Sequence, residues 1–429
     1  MNQRWKDAAL ALATVGLLAC GDSPQSPASM EPPGERLASP LERTTAPAPR
    51  ADLEATVHGS TQFALDLYKK VARPGGDDVF LSPYSISTAL AMTYAGAAGT
   101  TREAFEQTLH ISVTPDAFHR AMNHLDRELG LRGQGAKAAD GKAFRLSSTQ
   151  QLFAQKGLGM EPSFLDVLAR EYGSDARLLD FGQAPQPSRQ EINRWVDART
   201  EHRIPELLPE DAIDPGTRVV LVNAISFNAA WKQPFEEALT ADRPFRLADG
   251  TETQVRTLRS SGMELRTARL DGGVDVVELP YDGGELSMLI LAPPHGQLAA
   301  FEDSLDADSL ASAIASLSDD SRSLSMPAFE IRSAVPLDEA LRELGLAVAY
   351  GDGADFTAMT REAALRIKTV VHEAFVKVNE KGTEAQAATA VVLVERAAPP
   401  ELKLDRPFVF LIRDHATGAI VFLGRVVTP

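Results

Sequence analysis

The stretch that decides the fold runs from Glu380 to Pro400 and reads EKGTEAQAATAVVLVERAAPP. Its first half is small and permissive around Gly382, and its second half is apolar and β-branched. As one strand, Thr383 to Glu395 would be about 40 Å long at about 3.3 Å per residue, roughly twice the usual length. Two prolines follow soon after Arg396, and proline cannot continue a hydrogen-bonded ladder. The sequence therefore predicts two states, an exposed loop that presents Arg396 and a strand buried in a sheet.

The two faces of such a strand differ in chemistry, because successive side chains point to opposite sides. Glu384 and Gln386 would mark the face that stays in water. The other face is small and uncharged, as a strand that slides into a packed sheet requires, since burying an unpaired charge is costly. Its members are Thr383, Ala385, Ala387, Thr389, Val391 and Leu393.

The whole chain has 429 residues, of which 44% are hydrophobic and 24% charged, enough for a large globular core. Its formal net charge is −16, and no basic block is present that could neutralise phosphates. Nucleic acid is therefore excluded as the expected partner, and a protein partner is favoured.

The first twenty residues predict a signal peptide, with Arg4 and Lys6 before an apolar run that is too short to span a membrane. Cys20 is the only cysteine, so no internal disulfide can form. The sequence Leu-Leu-Ala before Cys20 resembles the lipobox of bacterial lipoproteins. This predicts a lipidated Cys20 and an exported protein at the outer membrane or cell surface. The alternative is a plain signal peptide that ends near an incidental cysteine.

Composition then divides the rest of the chain. Residues 21–52 are rich in Pro, Ser and Ala and predict a flexible linker. Residues 53–429 lack an interior linker and predict one domain. Helical patterns come first, including a helix that starts at Ser82-Pro83, and antiparallel strands follow, so an α+β fold is expected. The predicted strands are Arg218–Phe227, Val274–Leu279, Leu286–Leu291, Leu324–Ile331, Thr369–Val378, Phe408–Ile412 and Ala419–Val427.

Several motifs over residues 53–429 resemble the serpin family in their order and spacing. They are Phe80-Leu81-Ser82-Pro83-Tyr84-Ser85-Ile86, Leu221 to Phe227 with Trp231, Asp355-Phe356-Thr357, Val371 to Val376, Glu380 to Thr383, Asp405 to Phe408, and Phe422 to Arg425. The resemblance implies a serpin-like α+β fold with three sheets, about nine helices and an exposed reactive loop at about residues 380–400. It also implies a monomeric inhibitor that is not an enzyme and needs no cofactor or metal.

The resemblance further implies a mechanism. A serine protease cleaves the loop and forms an acyl-enzyme, and the freed segment inserts into the main sheet and carries the protease to its far end. Fourteen residues after Gly382 lies Arg396, which predicts the reactive bond Arg396–Ala397 and a trypsin-like target. Cleavage at Leu393, Val394 or Glu395 stays open, which would favour an elastase-like, subtilisin-like, glutamyl or cysteine protease.

The same resemblance assigns supporting residues. The loop hinge comprises Glu380, Gly382, Thr383, Ala385 and Ala387, and Trp231 matches the point where the loop first inserts. A buried polar cluster under the sheet centre matches Ser82, Ser85, Asn223 and His372. Taken alone, each of these residues is more typical of a helix cap or a satisfied core position.

One departure from the family pattern concerns Glu380. Its usual partner is a lysine in a segment like Met-Pro-Lys-Phe, but this chain has Ala328 at that position. The ion pair is predicted to be absent unless another base, such as Arg332, substitutes.

Other functions are less well supported by the sequence. The motifs of serine hydrolases, zinc proteases and nucleotide-binding proteins are absent, and His119 and His124 are spaced too far apart on a helix to share a metal. A non-inhibitory serpin that acts as a binding or chaperone module is the main alternative. The small hinge residues favour inhibition.

Overall fold

A computed structural model describes residues 30–73, 76–383 and 400–429. These residues form helices packed on two large sheets, which confirms the predicted α+β class. Cys20 and the predicted loop residues Ala385, Ala387, Arg396 and Ala397 lie outside the described residues.

Nine α-helices occur in the described part of the chain. Four of them, α2, α4, α5 and α6 in the numbering below, begin at a proline, whose missing N–H is not needed in the first turn. As the Ser82-Pro83 pair predicts, the Ser82 hydroxyl caps α2 by accepting from the Ser85 amide at 3.2 Å. The helices are α1 (Arg50–Val71), α2 (Pro83–Tyr94), α3 (Gly99–Thr108), α4 (Pro115–Gly130), α5 (Pro162–Tyr172), α6 (Pro185–Arg199), α7 (Leu298–Ser304), α8 (Ala307–Ala315) and α9 (Asp338–Glu343).

The main sheet has seven strands in the order β1-β4-β3-β5-β13-β12-β11. All neighbours are antiparallel except β3 and β4. The strands are β1 (Glu35–Leu37), β3 (Arg145–Gln155), β4 (Ala176–Leu179), β5 (Val219–Ala230), β11 (Phe329–Pro336), β12 (Val371–Asn379) and β13 (Gly382–Thr383).

The second sheet has nine strands in the order β14-β10-β7-β8-β9-β15-β16-β2, with β6 as a side branch on β7. The resemblance predicts two separate sheets here, but β7 is long enough to run through both and joins them by hydrogen bonds. The strands are β2 (Val79–Leu81), β6 (Ala241–Arg246), β7 (Glu252–Arg269), β8 (Asp275–Pro280), β9 (Leu286–Ala292), β10 (Ser318–Pro327), β14 (Glu401–Lys403), β15 (Phe408–Asp414) and β16 (Ile420–Val426).

The predicted strand Leu324–Ile331 is two strands in the structure. It divides at Ala328, so β10 belongs to the second sheet and β11 to the main sheet. Pro327 ends β10 because it has no N–H to donate to a ladder. The chain therefore changes sheets within one continuous apolar run.

The two faces of the main sheet are covered by different helices. Ile192, Trp195 and Val196 of α6 pack on the front face, against Phe153 and Val222. Helix α2 lies behind the sheet, within a larger apolar core. Side chains of β5 alternate between these two layers, so even-numbered residues face α6 and odd-numbered residues face the α2 side.

Residues 30–49 differ from the predicted flexible linker over 21–52. Within this stretch β1 pairs with β4, and several side chains bond to α4 and α5. In the described residues, no helix combines the length and the apolarity that a membrane span requires.

Candidate functional site

The seam of the main sheet is the boundary between β5 and β12. Gly382 pairs with Ala230 on β5 and with Asn379 on β12, and Thr383 pairs with Ala229 and Val378. Within the described residues, these two positions provide the only ladder between β5 and β12. The start of the predicted loop hinge is therefore already a strand of the sheet. We call this end of the sheet the upper end and the start of β5 the lower end.

Gly382 is required at the seam by space. A Cβ atom at this position would lie 2.1 Å from the Ala229 carbonyl oxygen, and the backbone φ is +152°. Any side chain would push the hinge out of the sheet. The physical basis of the predicted Gly hinge is thus a close approach between backbones.

Thr383 and Trp231 meet at the upper end of the seam. Thr383 is 1% exposed, and its hydroxyl lies 2.9 Å from the Tyr281 hydroxyl. The Tyr281 ring stacks on Trp231 with centroids 4.7 Å apart. The Trp231 indole N–H donates to the Asn379 carbonyl at 3.0 Å, and its backbone N–H donates to Lys381 at 2.9 Å. Trp231 therefore lies beside the described start of the hinge, and its role in loop insertion stays a prediction.

Glu380 has an ion-pair partner, but it is not Arg332. Arg256 of β7 donates to the Glu380 carboxylate at 2.5 Å. Arg332 instead bonds to Glu373 at 2.9 Å and to the Arg203 carbonyl at 2.7 Å. The Ala328 amide donates to the Arg256 carbonyl. The basic partner of Glu380 is therefore Arg256, the residue opposite Ala328 on the neighbouring strand.

The Glu380 carboxylate stays charged although its side chain is only 9% exposed. Burial alone would raise its pKa. Hydrogen bonds from its own backbone amide and from Arg256 outweigh burial and lower the pKa of Glu380. Arg256 thus supplies the Glu380 carboxylate with a hydrogen bond that replaces one from water.

The other end of the loop is held by the same strand. Arg259 of β7 bonds to Glu401 at 3.0 Å, and Glu401 begins β14, which pairs in parallel with β10. Arg256 and Arg259 therefore hold Glu380 and Glu401 at one end of the molecule. Sequence reasoning missed both arginines because β7 has no clear strand periodicity.

The four predicted cluster residues lie together below the hinge and are all buried. The Ser85 hydroxyl donates to the Asn223 side chain, whose amide donates back to the Ser85 carbonyl. The Ser82 amide donates to His372 Nε2 at 3.0 Å, so the ring proton of His372 resides on Nδ1. The cluster consists of two bonded pairs, and each pair joins α2 to a strand beside the seam.

A cleft follows the seam toward the lower end of the sheet. The lower half of β5 forms one wall, the chain that leads into β12 forms the other, and α2 forms the floor. Most of the lining is apolar, with Asn223 and His372 among the polar residues. The lining includes Val219, Leu221, Asn223, Val370, His372, Ile86 and Leu90.

Comparison with known proteins agrees with this architecture. A family model described as serpin (serine protease inhibitor) matches residues 58–429. The chain is 34% identical to an uncharacterized serpin-like protein of Thermococcus kodakarensis, over 87% of this chain and 85% of that protein. It is 34% identical to leukocyte elastase inhibitor A of Rattus norvegicus and 33% identical to leukocyte elastase inhibitor of Homo sapiens. Each of these two matches covers 88% of this chain and 100% of the relative.

Replacing Arg256 by Ala should destabilise the hinge, because it leaves the Glu380 carboxylate buried without its partner. We expect a loss of about 1–3 kcal/mol in the free energy of unfolding, visible as a lower Tm by calorimetry. The Arg50→Ala variant is the matched control, since Arg50 belongs to an exposed ion pair with Glu54. Equal Tm values for the two variants would contradict the importance of the Arg256–Glu380 pair.

Acid should destabilise the protein through His372. Burial lowers the pKa of His372 to about 4, whereas an unfolded histidine titrates near 6.5. As the pH falls, the unfolded state therefore binds a proton before the folded state does. The contribution of His372 to stability is fully present above about pH 7 and is lost as the pH falls from about 6.5 to about 4. We expect a loss of about 2 kcal/mol from this residue between about pH 7.5 and pH 5.

Thermal unfolding of wild type and His372→Gln at both pH values measures this contribution. The variant should lose less stability than wild type on acidification. Part of the dependence should remain, because burial also lowers the pKa of His119, to about 3. The exposed His58→Gln variant serves as the control and should follow wild type. Identical pH dependence in His372→Gln and wild type would exclude the effect.

Proposed function

Since the chain belongs to the serpin family, we propose that it traps a trypsin-like serine protease as a suicide substrate. The protease would cleave after Arg396, and the freed segment would extend β13 down the seam. The observation that carries this proposal is the register of Gly382 and Thr383 between β5 and β12. Relatives of this chain such as the leukocyte elastase inhibitors are named as inhibitors and not as enzymes.

The register predicts which side chains an inserted strand would bury. Thr383 lies opposite Ala229, and the antiparallel ladder continues two residues at a time on each strand. Directly opposed residues point to the same face, and the odd-numbered residues of β5 face the α2 side. The proposed pairs are Ala385 with Phe227, Ala387 with Ile225, Thr389 with Asn223, Val391 with Leu221, and Leu393 with Val219.

The chemistry of these pairs is favourable at each position. Thr389 would meet the polar pair at Asn223, where a hydroxyl can hydrogen-bond. Val391 and Leu393 would meet the apolar lower part of the cleft. Glu384 and Gln386 would point to the opposite face. The buried face is therefore the small, uncharged face that the sequence pattern predicts.

Chain length explains why cleavage would trigger insertion. An inserted strand from Thr383 to Leu393 would be about 33 Å long at about 3.3 Å per residue. In the uncut chain, the eight residues from Leu393 to Glu401 can span at most about 28 Å. Glu401 is held at the upper end by Arg259 and by β14. Complete insertion would therefore require either cleavage or release of β14.

The choice of protease depends on the residue before the cut. A guanidinium at Arg396 fits a specificity pocket with an acidic floor, because it can form a bidentate ion pair there. The elastase inhibitors among the relatives make the alternative cuts at Leu393 to Glu395 relevant to the test. The proposed inhibitor acts as a monomer without cofactor or metal.

The proposed location is outside the cytoplasm. Leu17, Leu18 and Ala19 before Cys20 form a lipobox-like segment after an apolar run. Lipidation of Cys20 would anchor the protein at the outer membrane or cell surface, where it would meet secreted proteases. Mass spectrometry of membrane-extracted protein would test this lipidation.

Mixing the protein with trypsin should give a covalent complex that survives SDS, because the acyl bond is kept when insertion outpaces deacylation. The Arg396→Ala variant should lose this complex, and Leu393→Ala should retain it. Gel electrophoresis measures the complex, and mass spectrometry identifies the scissile bond. A cleaved chain beside fully active trypsin would favour a non-inhibitory serpin. Cleavage at Leu393 to Glu395 would favour the other protease classes.

The Thr383→Arg variant should convert the inhibitor into a substrate. Thr383 already occupies the seam of the uncut protein, buried beside Tyr281, so an arginine there would keep β13 out of the seam and slow insertion of the segment that follows it. We expect the number of inhibitor molecules consumed per trapped trypsin to rise at least tenfold. Glu384→Arg is the matched control, because the register points residue 384 to the other face. Equal titration of trypsin by both variants would contradict insertion along this register.

A further inference from the structure

Residues 30–49 lie outside the family match, which begins at residue 58. We call these residues the N-terminal strap. They cross the edge of the main sheet and then pass over two helices before α1 begins. The strap is therefore an addition of this chain to the matched domain.

The sheet end of the strap is built for close contact. β1 pairs with β4, with Glu35 opposite Leu178 and Leu37 opposite Ala176. A Cβ at Gly34 would lie 2.7 Å from the Leu178 carbonyl oxygen, and the φ of Gly34 is +98°. A side chain at Gly34 would thus separate the strap from β4.

Ion pairs and hydrogen bonds hold the rest of the strap. Arg36 bonds to Asp175 at 2.5 Å, next to β4, and Ser39 donates to Asp166 of α5 at 2.6 Å. Arg43 bonds to two residues of α4, Asn123 at 2.8 Å and Asp126 at 2.6 Å. These contacts join the sheet edge, α5 and α4.

The direction of the strap follows from strand register. Its first described residue, Met30, accepts from the Trp195 indole N–H at 3.2 Å. The Trp195 ring packs on Phe153, which pairs with Val220 near the start of β5. Ala230, at the hinge, is ten residues further along β5, or about 33 Å at about 3.3 Å per residue. The strap thus begins at the lower end of the sheet, and the reactive loop leaves at the upper end.

We propose that the strap fixes where the N-terminal attachment point leaves the domain, so that a lipid bilayer anchored at Cys20 faces the lower end and the reactive loop faces away from it. Ten residues from Cys20 to Met30 span at most about 35 Å, whereas a free linker over residues 21–52 would reach about 110 Å. The short reach keeps the loop exposed to proteases on the side away from the membrane. This inference rests on the proposed lipidation and inhibition.

Energy transfer in the unlipidated full-length chain tests the direction without any membrane. Cys20 is the only cysteine, so one added cysteine completes a dye pair. Asp211→Cys places the second dye at the lower end, and Lys232→Cys places it beside Trp231 at the upper end. We expect at least twofold higher transfer efficiency to position 211 than to position 232. Equal transfer, or higher transfer to position 232, would overturn the inference.

A strap-release variant provides the matched comparison. Gly34→Val combined with Arg43→Ala should reduce the difference in transfer between the two positions, and Arg50→Ala should leave it unchanged. If the strap-release variant kept the wild-type difference, the strap would not set the direction.

Coupling through Cys20 to phosphatidylcholine vesicles that carry a maleimide lipid tests the consequence. The rate of trypsin trapping by the coupled wild type should stay within twofold of the soluble protein. The coupled strap-release variant should be at least threefold slower than its soluble form. A large loss for coupled wild type would overturn the proposed orientation. Failure of the soluble protein to trap trypsin would refute the proposed function. The energy-transfer measurement would still test the direction of the strap, because it does not depend on trypsin.

Discussion

The seam between β5 and β12 is the constraint on which the rest of the structure depends. Across the described residues, the ladder between these strands runs through Gly382 and Thr383 alone. Where two strands of a sheet are not paired, their backbone N–H and C=O groups need other hydrogen-bond partners, and their side chains need other residues to pack against. Helix α2 supplies such support from behind, through hydrogen bonds from Ser82 to His372 and between Ser85 and Asn223.

The Glu380 carboxylate at the hinge is buried and still keeps its negative charge. Glu380 is nearly covered, and Arg256 keeps it ionised at the point where the chain turns into the seam. Arg259 holds Glu401 from the same strand, so β7 fixes both ends of the loop. In the proposed mechanism, this arrangement makes chain length, and not affinity alone, the reason why an uncut loop would not fill the whole seam. The two ion pairs therefore restrain the described ends of the chain on both sides of the proposed loop.

The N-terminal strap adds a second constraint at the opposite end of the sheet. Its charged and polar contacts are spread over a strand and two helices, and Gly34 allows the closest approach. A composition rich in Pro, Ser and Ala predicts flexibility because it offers little apolar area to bury. The strap overcomes this through backbone pairing with β4 and ion pairs at Arg36 and Arg43. Composition alone does not reveal such contacts, since their partners lie more than 75 residues away.

The sequence by itself determined the α+β class, the alternation of small uncharged residues along the loop segment, the cap at Ser82 and the need for Gly382, because each depends on local backbone geometry or side-chain alternation. Only the tertiary structure decided that Arg256 pairs with Glu380, that β7 joins two predicted sheets, and that the strap is docked. These features depend on the register between strands that are distant in sequence. Arg332 was an equally plausible base by sequence, but its position beside Glu373 on β12 satisfies it there. Partner choice among long polar side chains follows from which strands meet, and a residue pattern within one strand does not contain that information.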